Sequence, residues 1–233
     1  ILTPELMEQV VDPSFAADRP AWRPRSSTFL FNNHGDLWSV DLAEPRPFVF
    51  IENARNAAWS PSAVQLVFER GHEVWIARSD GLGQRRISGV DSRDQMFAPP
   101  EPSYSPDGSQ LVYFDATQGP VGHIRPYDFD SGKTRIVVDN LQIADSPKFS
   151  DSGTSIWFHS SITGRTALWE VSTEANATPS LLLQGTSDDR NPIPVPDTSS
   201  IVYSATRDRF QLLATDIQPP ARCDGRHYLR KPA

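Results

Sequence analysis

The stretch Ser103-Tyr104-Ser105-Pro106-Asp107-Gly108, continued by Gln110-Leu111-Val112-Tyr113, decides how this chain folds. Proline pre-sets its own φ, aspartate accepts from the backbone just ahead of it, and glycine tolerates positive φ. Such a turn between short alternating apolar runs reads as a β-hairpin. The same phrase returns along the chain. Ala58-Trp59-Ser60-Pro61 precedes Gln65-Leu66-Val67-Phe68, and Lys148-Phe149-Ser150-Asp151-Ser152-Gly153 precedes Ser155-Ile156-Trp157-Phe158. An earlier copy runs Ala21-Trp22-Arg23-Pro24, then Thr28-Phe29-Leu30-Phe31. A late, eroded copy runs Pro194-Val195-Pro196-Asp197, then Ser200-Ile201-Val202-Tyr203.

The anchors are residues 22, 59, 104, 149 and 194, separated by 37, 45, 45 and 45 positions. Seven positions after each anchor comes a large apolar residue: Phe29, Leu66, Leu111, Ile156 and Ile201. A fixed internal period of this length signals a repeat architecture. Each copy continues with a second alternating run, such as Leu37-Trp38-Ser39-Val40-Asp41, Val74-Trp75-Ile76-Ala77 or Leu168-Trp169-Glu170-Val171. β-branched and aromatic residues with period two read as strand. A turn and a fourth short run follow, including Phe48-Val49-Phe50, Arg86-Ile87, Arg135-Ile136-Val137-Val138 and Leu181-Leu182-Leu183. Each repeat is therefore expected to be four antiparallel strands, A to D. A lone sheet of this size leaves both faces wet. Copies fanned around an axis cover one another, which is the propeller solution.

The pattern aromatic-Ser-Pro-Asp-Gly, then apolar-x-Phe/Tyr, then Leu-Trp-x-Val-Asp, resembles the Pro-Asp type of propeller repeat in the TolB family, over about residues 20–217. Similar repeats occur in the propeller domains of prolyl-oligopeptidase-type peptidases and in oligogalacturonate lyases. The five copies suggest an all-β, five-bladed β-propeller of four-stranded antiparallel blades, and the resemblance leaves a sixth blade open. It implies a non-catalytic recognition module of the bacterial envelope, in a periplasmic or secreted setting.

Composition narrows the rest. Twenty-two Lys and Arg against 29 Asp and Glu give a net charge of −7, the wrong sign for a chain that neutralises nucleic-acid phosphates. No apolar run nears the ~18 residues of a membrane-spanning helix. The single Cys223 offers no internal disulfide and no multi-cysteine metal site. Thr3-Pro4-Glu5 is a helix start, so residues 4–11 are expected to be a short helix. Residues 1–20 and 218–233 are read as closure segments around a propeller at 21–217. Arg226-His227-Tyr228-Leu229 and the stretch around 10–15 compete for the role of an outer strand.

In a four-stranded blade the B–C and D–A loops share one rim, where a rigid scaffold can present binding residues. The D–A loops carry Arg55-Asn56 and Arg190-Asn191, each Arg four residues before its anchor, together with Arg93, Asp94 and Asp189. Arginine donates in a fork suited to carboxylates. These residues and His72 form the expected ligand-binding rim; the competing reading is a ring of salt bridges between blades. The B–C loops carry His34, His72 and His123. Converging imidazoles could bind metal, but their offsets from the C strand are three, two and one, so no metal or cofactor is expected. The stretch 89–103, with Met96, Phe97, Pro99, Pro100 and Pro102, is a longer loop suited to a partner contact or to covering a blade.

No nucleophile elbow, phosphate-cradling loop or His-Glu-x-x-His occurs, so no catalytic residue is assigned. The expected function is binding of a protein or peptide by a monomer, without nucleic acid or membrane embedding. The alternatives are a carbohydrate-active lyase or hydrolase working in the channel, and a sensor or accessory domain of a larger regulator or peptidase.

Overall fold

Each of the five turn phrases forms a β-hairpin in a computed structural model, which describes residues 20–71, 73–87, 100–116, 121–142, 144–174, 177–185, 188–195, 198, 200–206 and 210–216. The expected helix at 4–11, the closure segments at 1–19 and 218–233, and most of the 89–103 loop lie outside these residues.

The hairpins explain the seven-residue offset. Each anchor is the cross-strand partner of the apolar residue seven positions later: Trp22 with Phe29, Trp59 with Leu66, Tyr104 with Leu111, Phe149 with Ile156, Pro194 with Ile201. The turn closes one step further in. The N–H of Ser60, Ser105 and Ser150 donates to the carbonyl of Gln65, Gln110 and Ser155, each at 2.9 Å. A one-residue slip would turn every side chain to the opposite face, so repeat spacing and hairpin register are one constraint.

The chain divides into two compact units, residues 1–91 and 92–233. The described part of the first holds two four-stranded antiparallel sheets. One is β1 (Ala21–Trp22), β2 (Thr28–Asn33), β3 (Asp36–Asp41) and β4 (Phe48–Ile51). The other is β5 (Arg55–Trp59), β6 (Gln65–Arg70), β7 (Glu73–Arg78) and β8 (Arg85–Arg86). Neighbours in sequence are neighbours in the sheet, as a meander requires. The core lies between the sheets: Leu30, Leu37 and Ile51 of one meet Trp59, Leu66 and Phe68 of the other. The Arg23 guanidinium lies 5.0 Å over the Trp59 ring, and Phe50 approaches that ring to 6.3 Å.

The second unit holds three sheets among its described residues. The first comprises β9 (Ser103–Tyr104), β10 (Gln110–Asp115), β11 (Val121–Asp128), β12 (Lys133–Thr134) and β13 (Val138–Gln142). The next is β14 (Ala144–Phe149), β15 (Ser155–Ser160), β16 (Ala167–Ser172) and β17 (Ser180–Leu183). The third is β18 (Asp188–Pro194), β19 (Ser200–Thr206) and β20 (Phe210–Asp216). Val112, Phe114 and Ile124 pack with Phe149, Ile156 and Phe158; Trp157 and Leu168 pack with Ile201 and Tyr203.

One strand expectation is corrected. In the fourth run of the third repeat, expected at 135–138, residues 135–137 are the break between β12 and β13, and only Val138 is strand. Both pieces pair with β11, whose Pro126 has no N–H to donate to a neighbour. The Arg135 N–H still donates to the Pro126 carbonyl at 3.2 Å, but receives nothing back, and its Nη2 donates to the Thr173 carbonyl at 2.8 Å.

Candidate functional site

The site begins with a backbone irregularity shared by the repeats. Three residues before the anchor stand Asn56, Glu101, Ser146 and Asn191, and all four have positive φ, between 41° and 53°. The first strand slips there: the pairing shifts between Arg55 and Ala58, between Asp145 and Lys148, and between Arg190 and Ile193. A β-bulge of this kind re-aims the side chains at a strand end. A left-handed conformation costs a non-glycine residue roughly 1–2 kcal/mol, and here hydrogen bonds offset it.

In the first unit, the Asn56 N–H donates to Asn32 Oδ1 at 3.0 Å, and Asn32 Nδ2 donates back to Asn56 Oδ1 at 3.3 Å. Asn56 Nδ2 donates to Glu69 Oε2 at 2.7 Å. Arg55 completes the group, donating from Nε at 3.0 Å and Nη2 at 2.7 Å to Glu69 Oε1. The Glu69 side chain is fully buried, whereas that of Arg55 is 48% exposed. The carboxylate is thus taken out of water but fully matched to charged and neutral donors.

The second unit repeats the plan with other residues. The Asn191 N–H donates to His159 Nδ1 at 3.4 Å. Asn32 and His159 both stand ten residues after their anchors, so each holds the bulge of the following sheet. Ser146 Oγ donates to the Glu101 carboxylate and lies 3.0 Å from Asn191 Oδ1. Asn191 Nδ2 donates to Ser204 Oγ at 3.2 Å. Arg190 is 48% exposed, and Asp188 stands 3.9 Å from its Nη2.

The expected rim residues therefore separate into distinct situations. Arg55 and Arg190 hold the same register, opposite Glu69 and Ser204, but lie in strands rather than in loops. Asn56 is a hydrogen-bonded bulge residue. Asp189 is buried, and its carboxylate accepts the Gly185 N–H at 2.6 Å. His72, Arg93 and Asp94 lie outside the described residues.

The histidines read as hairpin-tip residues also part company. His34 sits at φ 54° beside Gly35 at φ 85°, in a two-residue turn closed by the Asn33–Asp36 pair. Two consecutive positive φ values match the twist of a tight hairpin. His123 instead lies within β11, where its Nδ1 stands 2.7 Å from Asp139 Oδ1. Among the described residues, no three His, Cys, Asp or Glu side chains converge as metal ligands would.

At the A–B turns of the second unit, a small pocket of about 180 Å³ is lined by Ser105, Asp107, Gln110, Phe149, Ser152 and Thr173. The Asp107 carboxyl is held below its usual range, first by the Ser105 hydroxyl and then by the Ser109 N–H and hydroxyl. It fixes its own turn.

Sequence reasoning missed the bulge and its hydrogen bonds. The available signal was the repeated Arg-Asn pair at 55–56 and 190–191, with Asn in the left-handed position that it tolerates well.

Solved structures that superpose on this chain include TolB structures. The fold is TolB-like. A structure from Agrobacterium tumefaciens assigned as TolB superposes with a TM-score of 0.73 at 21% identity, covering 87% of this chain and 77% of that one. TolB from Acinetobacter baumannii gives 0.67 at 16% identity, over 89% of this chain and 49% of that one. In sequence, an uncharacterised protein of Agrobacterium fabrum is 26% identical over 216 residues, 86% of this chain. The chain spans 66% of that relative's length. No family model matches the chain.

Proposed function

We propose that this TolB-like propeller is a non-catalytic recognition module for a protein or peptide partner. The partner is received in the second unit, where β18 begins beside β19, in a periplasmic setting. The observation that carries this reading is Arg190: half-exposed, at a strand entrance fixed by a bulge, with Asp188 only at 3.9 Å. A rigid strand presenting an arginine whose neighbouring carboxylate is distant is an economical protein-binding feature, since little order is lost on contact. Arg55, the matching arginine of the first unit, shares its charge with the buried Glu69 instead.

The test is capture of proteins from a periplasmic extract on the immobilised chain, with wild type and Arg190→Glu side by side. A protein retained by wild type and lost by the variant, whose own melt is unchanged, supports the reading. An identical retained set overturns it.

A further inference from the structure

The two Arg-Asn pairs occupy matching positions but meet different partners. In the first unit the pair faces Glu69, ten residues after the anchor; that carboxylate takes two hydrogen bonds from Arg55 and one from Asn56 Nδ2. In the second unit the same register brings Arg190 opposite Ser204, also ten after its anchor. The backbones agree closely: Asn56 and Asn191 both have φ 53°, and both strands slip just after the arginine. Serine there supplies a hydroxyl and no charge. Its side chain is one methylene and a hydroxyl, against two methylenes and a carboxylate in glutamate, and it is partly exposed.

We propose that Arg190, Asn191 and Ser204 form a receptor for a carboxylate side chain of a partner peptide, which takes the place that Glu69 fills inside its own sheet. The guanidinium offers a fork, Asn191 Nδ2 a second hydrogen beside the one given to Ser204 Oγ, and the serine hydroxyl a third donor. Ser204 Oγ is turned to the Arg190 carbonyl at 3.2 Å, and rotates to meet an incoming anion. Asp188 at 3.9 Å sets the competition the ligand must win: both of its members are 48% exposed, where an ion pair is weak. The inference rests on the recognition reading above and gives its partner a chemistry: an acidic segment, read by a fixed donor set.

The test titrates the nitrogen-15-labelled chain with N-acetyl-Gly-Glu-Gly amide, its Gly-Gln-Gly counterpart and inorganic phosphate. The readout is the Arg190 Nε–H and Asn191 side-chain amide signals. The expected result is saturable shifts from the Glu peptide, in a range of about 1 mM typical of a single contact, and none from the Gln peptide. Ser204→Glu places an internal carboxylate in the receptor, and Arg190→Gln removes its charge. Each should weaken binding about tenfold or more. If Ser204→Glu fails to fold, Arg190→Gln decides alone. Absent shifts, equal shifts from the Gln peptide, undiminished binding by either folded variant, or tighter binding of phosphate than of the Glu peptide would each overturn the carboxylate receptor. The titration needs no natural partner. A failed titration with capture still lost in Arg190→Glu removes the receptor and leaves the recognition reading. A successful one with unchanged capture leaves the receptor and removes that reading.

Discussion

Arg55 reaches across one hairpin to give both Nε and Nη2 to a single oxygen of Glu69, a carboxylate with no exposed surface. The arginine stands at the protein–water boundary and the glutamate inside it. Removing the arginine therefore strands a charge, and the larger cost falls on the residue left behind. Arg190 has no such dependant. The two matching arginines should accordingly answer mutation differently. Arg55→Gln is expected to cost roughly 2 kcal/mol, the low side of the range for a broken buried pair because Asn56 still donates to Glu69. Arg190→Gln should stay within about 0.5 kcal/mol of wild type. Denaturant melts of the two variants measure this, and equal losses would contradict the assignment.

Gly122 lies in β11 against Phe114. A Cβ added there would stand 2.3 Å from Phe114 Cζ and 2.8 Å from the Asp115 carbonyl oxygen. Backbone cannot yield as a flexible side-chain tip can. Gly122→Ala should destabilise by about 1–3 kcal/mol, the cost of overpacking, although alanine suits a strand better than glycine. A stabilised variant in thermal melts would show that this contact is loose in solution.

Trp59 closes the space between the two sheets of the first unit, with 8% of its surface exposed. Trp59→Ala should cost about 3–5 kcal/mol. A loss under ~1 kcal/mol would remove Trp59 from the core. The same substitution at Trp22, which is 50% exposed, should cost much less.

Asp107 ties its turn through the Ser105 hydroxyl and the Ser109 N–H and hydroxyl, and these bonds hold its carboxyl below the ordinary range. A pKa lower in the folded than in the unfolded chain stabilises above the unfolded value. That stability is lost as pH falls through the folded one. Asp107→Asn should therefore melt below wild type at neutral pH, and the gap should close on acidification past the usual carboxylate range. A gap that stays constant with pH would mean that the carboxylate charge contributes nothing.

The repeat period carried the hairpins because hairpin register is local. Trp59 and Leu66 pair through a turn whose chemistry, Pro-x then an alternating run, is written in consecutive residues. Side-chain faces follow with period two, so the buried aromatics nine after each anchor (Phe31, Phe68, Tyr113, Phe158, Tyr203) were set by the same spacing. The outer strand of the third repeat was less legible. Its edge depends on what Pro126 fails to donate from the neighbouring strand, which no window around 135–138 contains.

The candidate site lay further from the sequence's reach. His34 and His123 look alike as histidines near a B–C connection. One proves to be a turn residue and the other a strand residue facing Asp139, because connection length, not residue type, decides where the strand starts.

By itself the sequence determined the repeated hairpin, the partner of each anchor and the equivalence of Arg55 with Arg190, all consequences of short-range spacing. Tertiary structure alone decided which of these arginines is neutralised. Charge pairing is settled by what folding brings opposite, Glu69 in one hairpin and Ser204 in the other, and by how deeply the neighbouring carboxylate is buried.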